Sequence, residues 1–266
     1  MKYEKLGRKG KGRRNMSKRL LVYELRNING NFMVHFFGVI FPCFLSVVMT
    51  KAIGDSVPET MYGEVITGIM LSMIMIVPMA ICLIGYGCMY AREVEMGIPL
   101  RMHLFVYDEK TLIGAKLITH LMFMTAALGI YALFQIVFMD IESPKPMVLI
   151  YLLLFLYLIA ACLLIMAHAI ANLIRRFNIA FGVLLGTYFF FMIISGMMGI
   201  QTNQLPGWLQ VIAKALPMTY ICNHYIDFWQ GRSFPFMSFI QALIFFAALS
   251  GVLLILSLYR EKRVIK

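Results

Sequence analysis

Few residues in this chain have the type and spacing to do chemistry, and each lacks the neighbours its chemistry requires. Gly7 and Gly12 have the GxxxxG spacing of a phosphate loop, which needs a following Lys and Ser/Thr to reach phosphate and Mg²⁺. Arg13 and Arg14 stand there instead and no strand precedes them, so the chain is not expected to hydrolyse ATP itself. Ser195-Gly196 has the outline of an intramembrane serine nucleophile, but Ile193 replaces the glycine two residues earlier and no partner base can be assigned. His168 and Asn172 lie four apart on one helical face. A metal centre needs more ligands than this pair supplies, and an interhelical hydrogen-bonding pair fits better. Cys43, Cys82, Cys88, Cys162 and Cys222 form no CxxC, and four of them lie inside apolar segments as small apolar side chains. No catalytic residue, metal centre or directly bound cofactor is expected.

The elements that carry these residues explain the scarcity. The 266 residues are 61% hydrophobic and 14% charged, where a soluble domain is about a quarter charged. The apolar residues fall in six blocks: Asn31–Ala52, Glu64–Ala91, Leu112–Met139, Met147–Asn172, Asn178–Ile200 and Phe236–Tyr259. Each is long enough to span a bilayer, which takes roughly 20 residues. Lipid offers backbone groups no outside partner, so helix is the expected structure throughout. His120, Gln135 and Gln241 are single polar residues in these spans, expected to face other helices or a water-filled path. No Asp or Glu sits in the middle of a span. Ion-coupled carriers use such a carboxylate, so an energy source outside the membrane domain is expected.

Charge sets the orientation. With six spans both termini share one side, and that side holds 20 of the Lys and Arg residues against 4 opposite, Lys51, Lys145, Lys214 and Arg232. The positive-inside rule then puts both termini in the cytoplasm of a cell membrane. The net charge of +11 is matched to anionic headgroups, with no nucleic-acid partner expected. Residues 1–30 read as a basic tail followed by an amphipathic interface helix over Met16–Ile28, with Leu20, Leu21, Leu25 and Ile28 on its apolar face. The six-span membrane domain covers 31–260 and a short tail 261–266. Residues 92–111 form a cytoplasmic amphipathic loop. Residues 201–233 are predicted to form two short helices dipping back toward the outer leaflet, broken at Pro206 and Pro217. Gly182 and Gly186 form GxxxG in the fifth span, and Ser195 and Gly199 repeat the spacing. It suits close packing within one protomer or at a dimer seam.

Two segments resemble the permease subunits of ABC type-2 exporters, a family of drug, antibiotic and cell-wall-polymer exporters with the G-subfamily lipid pumps as distant members. Arg92-Glu93-Val94-Glu95-Met96-Gly97 is similar to the R-E-x-x-x-G run that leads into the coupling helix. Leu205-Pro206-Gly207-Trp208-Leu209, then Pro217-Met218-Thr219-Tyr220 and Gly231, resembles L-P-x-W-L…P-x-T-Y…G. Ile98 and Pro99 depart from the pattern, as does Gly114-Ala115-Lys116 where a contiguous Gly-Lys is usual.

The resemblance implies an all-α, six-span permease with an interface helix, a coupling helix and an outer re-entrant hairpin. It implies a second permease copy, identical or related, and two nucleotide-binding subunits that carry the ATP and Mg. The coupling loop would offer Arg92, Glu93, Glu95, Gly97, Arg101, Asp108 and Glu109 to those subunits. The second and fifth spans would line the seam and path through Met70, Met73, Met75, Met79, Gly182, Gly186, Phe189, Phe190, Met192 and Met197. Leu205, Pro206, Trp208, Pro217, Thr219 and Tyr220 would form the outer gate. The expected function is outward movement of a hydrophobic or amphipathic substrate. A stand-alone channel or lipid-modifying membrane enzyme is the alternative, without a pore-lining repeat or catalytic motif in its favour.

Overall fold

Without water to serve them, the backbone groups of the apolar segments bond within their own segment, and the result is a bundle of helices. In this computed structural model, residues 18–54, 56–99, 101, 109–139, 141, 145–199 and 202–264 are described, and no strand occurs among them. Helix α1 is Lys18–Asn29. The six spans are α2 (Phe32–Ile53), α3 (Glu59–Glu95), α4 (Glu109–Phe138), α5 (Pro146–Ile174), α6 (Phe177–Ile194) and α9 (Phe236–Val264). Between α6 and α9 lie two short helices, α7 (Gly207–Lys214) and α8 (Pro217–Trp229).

Local chemistry sets the ends. Lys145 and Leu216 are extended, and Pro146 and Pro217 open α5 and α8 with φ already helical and no N–H to satisfy. The second span is longer at both ends than hydropathy suggests, starting after Pro58 and running polar as far as Glu95. Gly97, at φ 67°, then turns the chain in a conformation that a side chain would strain. The fifth span stops at Ile194, short of the expected Ile200, because Gly196 and Gly199 adopt positive φ and break the helix.

The third helix is the hub. Its most apolar stretch is 83% buried, against half or less for the other spans, because α2, α4, α5 and α6 all pack on it. Helix α5 is covered on another side by α9, and α1 lies across α4. Pro78 supplies no N–H, and the turns after it widen to π geometry over Met79–Tyr86. A similar π stretch, Phe36–Ile40, precedes Pro42 in α2. The two helices cross where both are widened. A Cβ on Gly38 would sit 2.7 Å from Ile81 Cγ1, and one on Gly85 2.8 Å from Val34 Cγ2. Gly87 is as tight on another side of α3, where a Cβ would sit 2.8 Å from Leu184 Cδ1 of α6. Gly182 and Gly186, singled out by their spacing, lie on an open face with nothing near them.

Candidate coupling site and outer hairpin

Three elements meet at the end of the bundle that carries the termini. Helix α1 is amphipathic, as expected, but its buried face is Leu20, Glu24 and Ile28. Placing a glutamate in an apolar stripe costs several kcal/mol unless it is paired. Lys116 pairs it: the ammonium lies 2.9 Å from Glu24 Oε2 and 2.7 Å from Glu93 Oε1. Asn27 Nδ2 donates to the same Glu93 oxygen at 3.4 Å. Glu24 comes from α1, Glu93 from the last turns of α3 and Lys116 from α4, so one cation ties three helices. All three side chains are nearly inaccessible. Burial pushes the Glu24 carboxyl above its usual range, and the charge of Lys116 offsets this only in part. The remaining oxygens, Glu24 Oε1 and Glu93 Oε2, accept no hydrogen bond among the described residues.

Glu93, one of the residues expected to meet a soluble partner, has its carboxylate held against Lys116 and nearly buried. Arg92, Glu95 and Arg101 are exposed around the Gly97 turn. Asp108 lies outside the described residues, as does the side chain of Glu109. Glu24 and Lys116 are the residues that sequence reasoning missed. The available signal was Glu24 breaking the apolar face of an otherwise regular amphipathic helix.

One helical level deeper, polar residues in the spans bond to other helices as expected for His168 and Asn172. Tyr86 Oη is 2.8 Å from His168 Nδ1, Asn172 Nδ2 is 3.0 Å from His168 Nε2, and Tyr90 donates to Asn172 Oδ1 at 3.3 Å. A neutral imidazole has one N–H. With Asn172 donating to Nε2, the ring donates from Nδ1 to Tyr86. Gln135 donates to Ser46 on α2 at 2.8 Å. His120 Nδ1 meets the Lys116 carbonyl at 2.7 Å. Gln241 instead lies on the open face of α9. No group of His, Cys, Asp or Glu among the described residues could hold a metal ion.

The residues expected to line a path divide. Met70, Met75 and Met79 are buried inside the protomer because their stretch of α3 is wrapped by neighbouring helices, and Met192 is buried on the inward face of α6. Phe189 and Phe190 are exposed. Met73 and Met197 line a cavity of about 610 Å³ at the opposite end of the bundle.

That end is closed by α7 and α8. Tyr220 Oη donates to the Lys214 carbonyl at 3.0 Å, stapling α8 to the end of α7. Gln210 Nε2 holds the preceding turn through the carbonyls of Asn203 and Leu205, at 3.2 and 2.8 Å. Asn223 Nδ2 reaches the Ser195 carbonyl at 3.0 Å, joining α8 to the end of α6. Ser72 donates to the Cys222 carbonyl at 3.0 Å, which fixes α8 on α3. Arg232 bridges Glu64 and Asp227 at 3.1 and 3.0 Å, but in the open. Leu205, Pro217 and Thr219 are buried, while Pro206 and Trp208 are exposed, Trp208 by 67%.

A family model described as ABC-2 type transporter matches residues 17–227. That range runs from the start of α1 to the last turn of α8 and includes both the Glu24–Lys116–Glu93 cluster and the paired short helices. No curated protein matches the chain. The chain belongs to the ABC-2 type transporter family and is a multi-pass membrane permease component of such a transporter.

Proposed function

We propose that this permease works in an ATP-driven exporter, moving a hydrophobic or amphipathic substrate outward across the cell membrane with both termini in the cytoplasm. Two nucleotide-binding subunits supply the ATPase, and a second permease copy, identical or related, completes the membrane domain. The observation that carries the reading is the Lys116 cluster. A soluble subunit engaging the exposed Glu95 and Arg101 around Gly97 pushes on the end of α3. Because Lys116 locks α3 to α1 and α4 at the same level, the three helices move together. The exposed face of α6, with Gly182, Gly186, Phe189 and Phe190, is the seam to the second copy. The α7–α8 pair is the outer gate, dipping into the outer leaflet.

The test is affinity purification of the tagged chain from its native membranes in mild detergent, with cross-linking between residue 95 and bound partners. A co-purifying soluble subunit with a phosphate loop, ATPase activity in the eluate and a cross-link at residue 95 are expected. Recovery of the chain alone, without ATPase activity even from cross-linked membranes, would overturn the reading. The double substitution Glu95→Lys, Arg101→Glu is expected to reduce ATPase retention at least tenfold while leaving membrane insertion intact.

A further inference from the structure

A second cavity, of about 700 Å³, opens at the basic end of the bundle between α1, the start of α2, the end of α3 and the start of α6. Its polar lining includes Tyr23, Arg26 and Asn27 from α1, Asn31 beyond its end, and Arg92 from α3. Neither arginine makes an ion pair among the described residues. Glu93 also lines it, but that carboxylate is already held by Lys116 and Asn27. The local charge is therefore net positive. Helix α6 begins on the same wall at Phe177, and no side chain caps its first N–H groups. Its positive dipole end adds to the field of the two guanidiniums.

The rest of the lining is apolar, including Ile84, Met89 and Phe181. At the rim stand Phe32 and Met33, exposed by 69% and 42% on the flank of α2. Two cations at the end of the bundle, beside an apolar wall leading into a span, match a phosphate head with an acyl chain next to it. A free phosphate would use the cations and leave the apolar wall without a partner.

We propose that this cavity binds one anionic phospholipid from the leaflet on the basic side. The guanidiniums of Arg26 and Arg92 take its phosphate, and an acyl chain lies along Ile84, Met89 and Phe181. The inference does not depend on export or on the ATPase, since it is read on the permease alone. The experiment is native mass spectrometry of the full-length chain released from nanodiscs of phosphatidylcholine or of phosphatidylcholine with phosphatidylglycerol. The wild type is expected to retain one phosphatidylglycerol in preference to phosphatidylcholine. Arg26→Gln, Arg92→Gln is expected to lower that retention at least tenfold, and Arg26→Lys, Arg92→Lys to keep most of it. Lys18→Gln, Arg19→Gln, on the same helix but away from the cavity, is the control for general basic attraction and should retain the lipid. Equal retention of both lipids, or an equal loss in the Lys18/Arg19 variant, overturns the site. So does displacement of the lipid by millimolar inorganic phosphate. Should the Gln variant fail to fold, replacement of Phe181 by Asp, which puts a carboxylate on the acyl wall, is read in the same way.

Discussion

Lys116→Met should be among the most damaging single substitutions in this chain. The ammonium lies 2.9 and 2.7 Å from two carboxylates whose side chains are 0% and 8% exposed. Methionine fills nearly the same volume, so the change creates little cavity and isolates the electrostatic effect. It leaves two buried carboxylates facing each other with no counter-charge. Breaking a buried ion pair by removing one partner costs about 3–5 kcal/mol. In a chain of this size that corresponds to a loss in melting temperature on the order of 10 °C. The assay is thermal unfolding of the purified full-length chain in detergent micelles, followed by size-exclusion fluorescence. The triple variant Glu24→Gln, Lys116→Met, Glu93→Gln removes all three charges and should recover more than half of the loss. A Lys116→Met protein as stable as wild type refutes the assignment of Lys116 as the tie between three helices. A triple variant no better than the single shows that the damage is packing and not charge.

The same cluster sets a pH dependence. Burial holds the folded-state Glu24 carboxyl above its usual value of 4.5, so the folded state binds this proton more tightly than the unfolded chain does. Stability from this group is therefore full below that value and falls as pH rises above it. As pH rises from 4.5, the melting temperature should decline more steeply in wild type than in Glu24→Gln; parallel slopes would remove Glu24 as the cause. At the α2–α3 crossing, Gly85→Val places methyls where Val34 already sits at 2.8 Å from the first added carbon. It should cost about 1–3 kcal/mol by overpacking, seen as lowered stability, whereas Gly186→Val should cost little in the isolated protomer. At the outer end, Tyr220→Phe loses its bond to the Lys214 carbonyl, worth about 1 kcal/mol. Limited proteolysis between residues 202 and 217 should speed up. Trp208→Ala should leave that rate near wild type, since the ring is mostly exposed.

The spans were legible in the sequence because the bilayer imposes one rule, whereas the end of α6 at Ile194 was not, since the positive φ of Gly196 and Gly199 cannot be read from composition. The break of the outer segment into two helices followed from its two prolines. His168 and Asn172 could be assigned to an interhelical pair because no third ligand lies within a helical turn. What was not legible depends on distances between segments far apart in the chain. Glu24 and Lys116 are 92 residues apart, and each alone reads as a solvated charge on the basic side. The α3 methionines gave no sign of facing inward, since an apolar helix looks the same whether lipid or protein surrounds it. Gly38 and Gly85 carry no mutual spacing, so their contact was hidden, while the GxxxG of α6 advertised a contact that no part of this protomer makes.

The crossing at Gly38 and Gly85 also divides α3 unequally. At about 1.5 Å per residue, the 37 residues of this helix form a rod about 55 Å long, with Glu95 about 15 Å and Glu59 about 39 Å from Gly85. If the tight contact is the fulcrum, travel is multiplied by about 2.6, so a 2 Å thrust at Glu95 swings the far end by about 5 Å. Spin labels at positions 59 and 95, with distances measured to a label on α5, would report the two displacements and their ratio. A second span built this way is a lever with its short arm at the Lys116 cluster and its long arm beneath α7 and α8, trading force for travel.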